Sequence, residues 1–278
     1  MMDGVLFTKG HGTGNDFVIV PDPDGALDLT PDRVAALCDR RFGIGGDGVL
    51  RVVRAAKDPS GVAWAGEAEW FMDYRNSDGS IAEMCGNGVR VFARYLVANG
   101  LATPGPAGLP IATRAGVVVA LVEGDEIRVH MTTPRVYAVS TETAGHLTFP
   151  GVAVDCGNPH LVCTLSDGVA LTSLDLLAAP GFDRSLFPAG VNVEFVVPVE
   201  GPGPHVAMRV FERGSGETLS CGTGALAVGA VALRNAGLSA GSVAVDVPGG
   251  RLTVTHDAED RWWLAGPAVL VATGEIAD

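Results

Sequence analysis

The stretch AEMCGNGVRVFARYL, Ala82 to Leu96, sets a cysteine and two glycines at the mouth of an apolar helical run. Serine or aspartate caps a helix better than cysteine does, so the thiol calls for another explanation. The chain raises the question twice. TLSCGTGALAVGAVAL, Thr218 to Leu233, repeats Cys-Gly-polar-Gly ahead of a second apolar run.

Other matches fall in the same order around the two cysteines. GNDFVIV (Gly14–Val20) answers to GNPHLVC (Gly157–Cys163), and FGIGGDGVL (Phe42–Leu50) to FPAGVNVEF (Phe187–Phe195), which sets Asp47 opposite Asn192. Asn76 lies nine residues before Cys85, and Glu212 nine before Cys221. The helices close on ANGL (Ala98–Leu101) and NAGL (Asn235–Leu238), with Gly100 and Gly237 suited to the position after a helix end. Short glycine-containing strings recur by chance, but a collinear series of them implies duplication.

The chain therefore reads as two related lobes of α+β class. Each holds strands in hairpins and one prominent helix, Gly86–Asn99 or Gly222–Ala236. The second helix is small and apolar nearly all round, so it belongs inside the protein, and a sheet wrapped around it is the economical solution. The expected division is 1–133 plus about 265–278 for the N-terminal lobe, with PAVLVATGEI as a closing strand, and 134–264 for the C-terminal lobe. The Trp262–Trp263 pair reads as ordinary strand or surface.

Composition narrows the function. With 47 % hydrophobic and 18 % charged residues this is an ordinary globular chain, and a formal charge of -13 without a basic stripe argues against nucleic acid. No apolar stretch approaches a membrane span, and no signal peptide is visible at the N-terminus. Five cysteines without a CxxC pair fit reduced thiols in the cytoplasm, with Cys38, Cys156 and Cys163 as small buried hydrophobes. The absence of HExxH or paired Cys/His spacing gives no expectation of a metal.

Glycines at a helix mouth leave the first N–H groups open to a ligand. Such an end attracts anions and lowers the pKa of a cysteine placed there. Duplication would set two such ends face to face across an interlobe cleft, with a carboxylate between them and a thiol on each side. Inverting a stereocentre needs a base on one face and an acid on the other, which a thiolate and a thiol supply and exchange. Pyridoxal phosphate would need a Schiff-base lysine, but Lys9 and Lys57 are the only lysines and neither sits in a phosphate-binding context. No cofactor is expected.

GIGGDG (Gly43–Gly48) and GTGALA (Gly222–Ala227) also fit dinucleotide-type glycine patterns, but the first is flanked by helix then strand, the reverse of that fingerprint. A non-catalytic clamp for a small amino acid is a further alternative.

KGHGTGNDF, FGIGGDG, RNSDGSIAEMCGNGVR, CGNPH, VNVEF and FERGSGETLSCGTGA together resemble the diaminopimelate epimerases, in that family's order and over nearly the whole chain. Proline racemases share the two-cysteine pattern, but their first motif typically carries His where this chain has Asn87.

The resemblance implies interconversion of LL- and meso-diaminopimelate without pyridoxal phosphate or metal, in lysine and peptidoglycan precursor synthesis. It implies lobes that are antiparallel barrels around a central helix, and a homodimer. Carried onto matching positions, Cys221 is the proton acceptor and Cys85 the donor from LL to meso. Gly86, Asn87, Gly222 and Thr223 hold the reacting carboxylate through backbone N–H groups. Asn15, Asn76, Asn158, Asn192, Glu212 and Arg213 grip the rest, Arg213 being suited to the distant carboxylate. His160 and Glu212 are expected to tune the thiols. Many relatives carry a polar side chain where this chain has Gly48.

Overall fold

The structure is a computed structural model that describes residues 4–166 and 168–276. The chain divides into two compact units, Met1–His130 with Gly266–Asp278, and Met131–Ala265.

The first unit opens with β1 (Val5–Gly12) and β2 (Asn15–Pro21), followed by α1 (Pro31–Cys38). Then come β3 (Gly48–Arg54), β4 (Trp70–Asn76), α2 (Gly86–Ala98), β5 (Leu109–Thr113), β6 (Gly116–Glu123) and β7 (Glu126–Met131). The second unit holds β8 (Arg135–Ala144), β9 (Leu147–Asp155), β10 (Pro159–Thr164), β11 (Gly181–Phe182), β12 (Asn192–Pro198), β13 (His205–Glu212), β14 (Gly216–Thr218), α3 (Gly222–Asn235), β15 (Gly241–Val247), β16 (Gly250–His256) and β17 (Trp262–Pro267). The chain then returns to the first unit as β18 (Val269–Ile276), antiparallel to β1 with Val5 opposite Ile276.

The two units repeat one topology. In the first, β1 pairs antiparallel with β2, β2 parallel with β3, β3 antiparallel with β4, β4 parallel with β5, and β5–β6–β7 form a meander. In the second, β9, β10, β12, β13, β15, β16 and β17 follow the same sequence of pairings. Helix α2 packs against six strands from β1 to β6 with the exception of none, and against β18. Helix α3 packs against β9, β10, β12, β13, β15 and β16. Each unit is thus a barrel-like sheet around one helix. The helices tolerate this enclosure because α2 buries Val89, Val91, Phe92 and Leu96, and α3 buries Leu226, Val228, Val231 and Leu233.

Register corrects one sequence match. Phe17 lies opposite Gly48 in the β2–β3 pair, and the equivalent His160 lies opposite Asn192 in the β10–β12 pair. Asn192 therefore corresponds to Gly48 and not to Asp47. The loop from Phe187 to β12 is one residue shorter than that from Phe42 to β3, which a match anchored on phenylalanine does not reveal. Trp262 and Trp263 lie on β17 and are buried, the first stacked on His256 at 4.3 Å and the second donating to Asp257.

In the second unit β8 alternates exposed and half-buried positions until Glu142, which is fully buried opposite Phe182 of β11. Neither carboxyl oxygen has a hydrogen-bond partner among the described residues, and burial raises its pKa to about 8. An acid raised in this way holds its proton more tightly folded than unfolded. Its contribution is intact below the unfolded value near 4.5 and is lost as pH rises from there toward 8. Thermal unfolding from pH 5 to 8 should show a falling midpoint that Glu142→Gln flattens, the difference reaching on the order of a few kcal/mol. Parallel profiles of the two proteins would contradict this.

Candidate active site

Cys85 stands in extended backbone immediately before α2, and its Sγ accepts the Gly88 N–H at 3.4 Å. The sulfur occupies the place that a serine oxygen takes in an ordinary cap. Cys221 stands in the same conformation before α3, with Sγ 3.6 Å from Thr223 Oγ1. The helical ladders begin with Val89 N–H to Cys85 O and Ala225 N–H to Cys221 O. Gly86 and Asn87, like Gly222 and Thr223, thus form helix first turns, whose N–H groups aim out of the helix end.

The strand behind each helix mouth explains its third-position glycine. A Cβ on Gly88 would stand 3.3 Å from Leu50 Cδ2, and one on Gly224 would stand 2.7 Å from Glu194 Oε1. Leu50 and Glu194 occupy equivalent places on β3 and β12, so the glycines let strand side chains reach the first turn.

Around Cys85 the structure gathers Asn15 and Asn87. Asn15 Oδ1 lies 3.6 Å from the sulfur and accepts from Asn87 Nδ2 at 3.2 Å, while Asn15 Nδ2 donates to Asp47 at 2.7 Å. Arg40 joins Asp47 to Asp16, and Lys9 also binds Asp16. Burial opposes the Asp16 charge, but the bonds from Arg40 and Lys9 outweigh it and hold the carboxyl at about 2. This ionic chain orients Asn15 from behind. Asn76 is not bonded to these groups; its backbone and side chain both bind Ser80, which fixes the turn after β4.

Around Cys221 the arrangement is acidic. His160 lies 2.6 Å from Glu194 through Nδ1 and 2.9 Å from Asn158 Oδ1 through Nε2. Both His160 and Glu194 are fully buried, and Glu194 Oε2 has no partner among the described residues. Burial raises the Glu194 carboxyl, against the pull of His160. Asn192 donates to Pro159 O at 3.3 Å and accepts the Arg213 N–H at 2.9 Å, tying β10, β12 and the end of β13 together. The Arg213 guanidinium reaches Ala189 O at 3.1 Å, and Glu212 accepts from Thr218. Burial, then the Glu212 and Glu194 carboxylates, push the Cys221 thiol well above its ordinary value.

Two residues near the thiols escaped the sequence reading. Glu194 lies inside the quoted VNVEF motif and Arg90 ends CGNGVR, but neither string discloses that these charges are buried. The place of a side chain at Gly48 is also settled: a Cβ there would meet the Arg75 carbonyl and stand 2.7 Å from the Tyr74 ring. Neighbouring β4 occupies the space. Cys38, Cys156 and Cys163 are buried with thiols raised mainly by desolvation, Cys38 to about 11, and so are poor nucleophiles. Among the described residues no cluster of side chains is arranged to hold a metal ion, and no helix is long and apolar enough to cross a membrane.

The chain matches the family model described as Diaminopimelate epimerase over residues 7–137 and 152–276. A Streptomyces coelicolor protein named diaminopimelate epimerase is 52 % identical over 99 % of this chain and 96 % of its own. A Corynebacterium glutamicum protein of the same name is 50 % identical over 98 % of each. Solved structures share the fold at low identity. A Bacillus anthracis phenazine biosynthesis protein of the PhzF family has a TM-score of 0.70 at 18 % identity, covering 98 % of both chains. A hydroxyproline epimerase from Agrobacterium vitis has a TM-score of 0.62 at 16 %, covering 99 % of this chain and 93 % of that one. Full-length similarity at half identity, on a duplicated fold with a cysteine at each helix mouth, places the chain in the diaminopimelate epimerase family.

Proposed function

We propose that this isomerase interconverts LL- and meso-diaminopimelate by proton exchange between two thiols, supplying lysine and peptidoglycan precursor synthesis. The observation that carries the reading is the matched pair of cysteines, each ending a strand-to-helix turn at the first N–H groups of its helix. From LL-substrate, the Cys221 thiolate takes the α-proton from one face. The electron pair left on the α-carbon spreads into the adjoining carboxylate, and the Cys85 thiol gives a proton to the other face. The product leaves with the opposite configuration, and the two sulfurs have exchanged protonation states. The reverse reaction starts from that exchanged form.

Oriented donors stabilise charge as it develops. The N–H groups of Gly86, Asn87, Gly222 and Thr223 suit the reacting carboxylate, whose charge grows as the proton leaves. The amides of Asn15, Asn76, Asn158 and Asn192 can face either an ammonium or a carboxylate without a buried full charge. Glu212 suits the distant ammonium and Arg213 the distant carboxylate. His160 acts on Cys221 through Glu194, and Glu212 acts on it directly through its charge. Because the thiol pair supplies both acid and base, the reaction as written uses no cofactor. Cysteines that form no disulfide among the described residues favour the cytoplasm, and the family pattern favours a homodimer.

The test is incubation in D₂O with LL-diaminopimelate, and with L-proline in parallel, without added cofactor. Deuterium at one α-carbon together with meso product is the expected result. Exchange in proline alone would move the chain to the racemase reading. Binding without exchange would leave an amino-acid clamp.

A further inference from the structure

The two halves of the duplication differ most where they should matter most. Position 90 of α2 corresponds to position 226 of α3, five residues after each cysteine, and the pair is Arg90 and Leu226. Position 50 of β3 corresponds to position 194 of β12, and that pair is Leu50 and Glu194. All four side chains are fully buried. One unit thus places a buried cation behind its helix mouth, and the other a buried acid.

Arg90 has no carboxylate within ion-pair distance among the described residues. Its Nη2 donates to Asn87 Oδ1 at 2.8 Å and to Thr13 Oγ1 at 3.4 Å, and its Nη1 to Gly86 O at 3.4 Å. Its Nε is buried without an acceptor. Every acceptor is neutral, and two belong to the turn that carries Cys85. Burial lowers the guanidinium pKa to about 10, while the nearby Cys85 and, more weakly, Glu126 of β7 favour its charge. Electrostatic coupling is reciprocal, so a guanidinium favoured by the Cys85 thiolate favours that thiolate in return. The other charges on packed elements are committed elsewhere. Lys9 of β1 pairs with Asp16 of β2, while Arg51 of β3 and Arg75 of β4 both pair with Asp73 of β4. Arg54 of β3 faces Asp24 and Glu69, and Glu123 of β6 faces Arg128. Glu275 of β18, and Glu83 beside the turn, are exposed.

We propose that Arg90 is a positioning residue that locks the Asn87 turn and makes Cys85 the first thiol to ionise, while buried Glu194 keeps Cys221 protonated. The arrangement gives the resting protein a thiolate at Cys85 and a thiol at Cys221 without help from substrate. That form takes the meso isomer, while LL-substrate is taken by the exchanged form. This ordering rests on the two-thiol reading for its meaning, but the thiols can be titrated without substrate.

The experiment is iodoacetamide labelling of the full chain across pH, with peptide mass spectrometry giving the half-labelling pH of each cysteine. In the unaltered protein Cys85 should reach its midpoint below Cys221. Arg90→Gln and Arg90→Met should raise the Cys85 midpoint by about one unit, a tenfold loss of thiolate at lower pH, and leave Cys221 in place. Glu194→Gln should lower the Cys221 midpoint. The acid limb of kcat/KM should move upward with Arg90→Gln, whereas damage to packing alone would lower the rate at every pH. An unaltered protein in which Cys221 ionises first or together with Cys85 would overturn the proposal, even if no variant folds. So would a folded Arg90 variant whose Cys85 midpoint stays put. A protein that orders its thiols as described yet exchanges no α-proton would instead refute the epimerase reading.

Discussion

Replacing Cys85 or Cys221 by alanine lowers interconversion of the two diaminopimelate isomers by about 10²–10⁴-fold, the scale on which a positioned acid or base contributes. The two losses should differ in kind. With Cys85→Ala, Cys221 can still remove the α-proton of LL-substrate but nothing protonates the far face. LL-diaminopimelate would then take up deuterium slowly while keeping its configuration. With Cys221→Ala that exchange should stop, whereas the corresponding centre of the meso isomer should still exchange through Cys85. Nuclear magnetic resonance of recovered substrate reads both outcomes. Exchange of LL-substrate in Cys221→Ala but not in Cys85→Ala would reverse the assigned roles. Serine variants should resemble alanine, because a hydroxyl is a far weaker acid than a thiol and cannot serve as the base near neutral pH.

The second large effect concerns stability. Asp73 of β4 is fully buried and receives Arg75 at 2.8 and 3.1 Å, Arg51 at 3.4 Å, and Arg114. Arg51 also binds Asp22 and Asp58. Arg114 holds the carbonyls of Tyr74 and Ala82, the latter three residues before Cys85. Asp73→Ala leaves these guanidinium groups without a shared counter-charge, and removing one partner from such a buried set costs about 3–5 kcal/mol. Thermal melting should fall by on the order of 10 °C. Burial raises the Asp73 carboxyl, but Arg75 and Arg114 outweigh it and leave its pKa lowered. Its contribution is therefore present above the unfolded value near 3.8 and is lost as pH falls through the lower folded value. The variant's deficit should shrink in strong acid. A deficit below 1 kcal/mol at neutral pH would show that the network contributes little.

Much of this architecture was legible in the residues. Glycines flanking apolar runs located α2 and α3 to within a residue at their ends, and the Pro-Gly-Gly turn marked the β15–β16 hairpin. Within PAVLVATGEI, Val269–Ile276 forms β18, antiparallel to β1. The two cysteines at the helix mouths were visible because duplication repeats spacing, and spacing survives when side chains change.

What sequence left hidden was environment. Arg90 and Arg94 are four residues apart on α2, yet Arg90 is enclosed and Arg94 reaches out to Gly124 O. Only the wrapped sheet distinguishes them. Glu194 alternates with apolar neighbours on β12 as an outward residue would, but its strand is covered on the side that meets α3. The equivalence of Gly48 and Asn192 depends on a one-residue loop difference, which strand pairing resolves.

The pairing of β1 with β18 also bears on how the protein is made. The second unit is continuous from Met131 to Ala265, so it has all its strands before β18 is synthesised. The first unit begins earlier on the ribosome but cannot cover the outer side of β1 until Val269–Ile276 has emerged. Domains generally close as their chains become available. The later-encoded unit can thus fold during translation, while the earlier one waits with an open edge until Val269–Ile276 has been made.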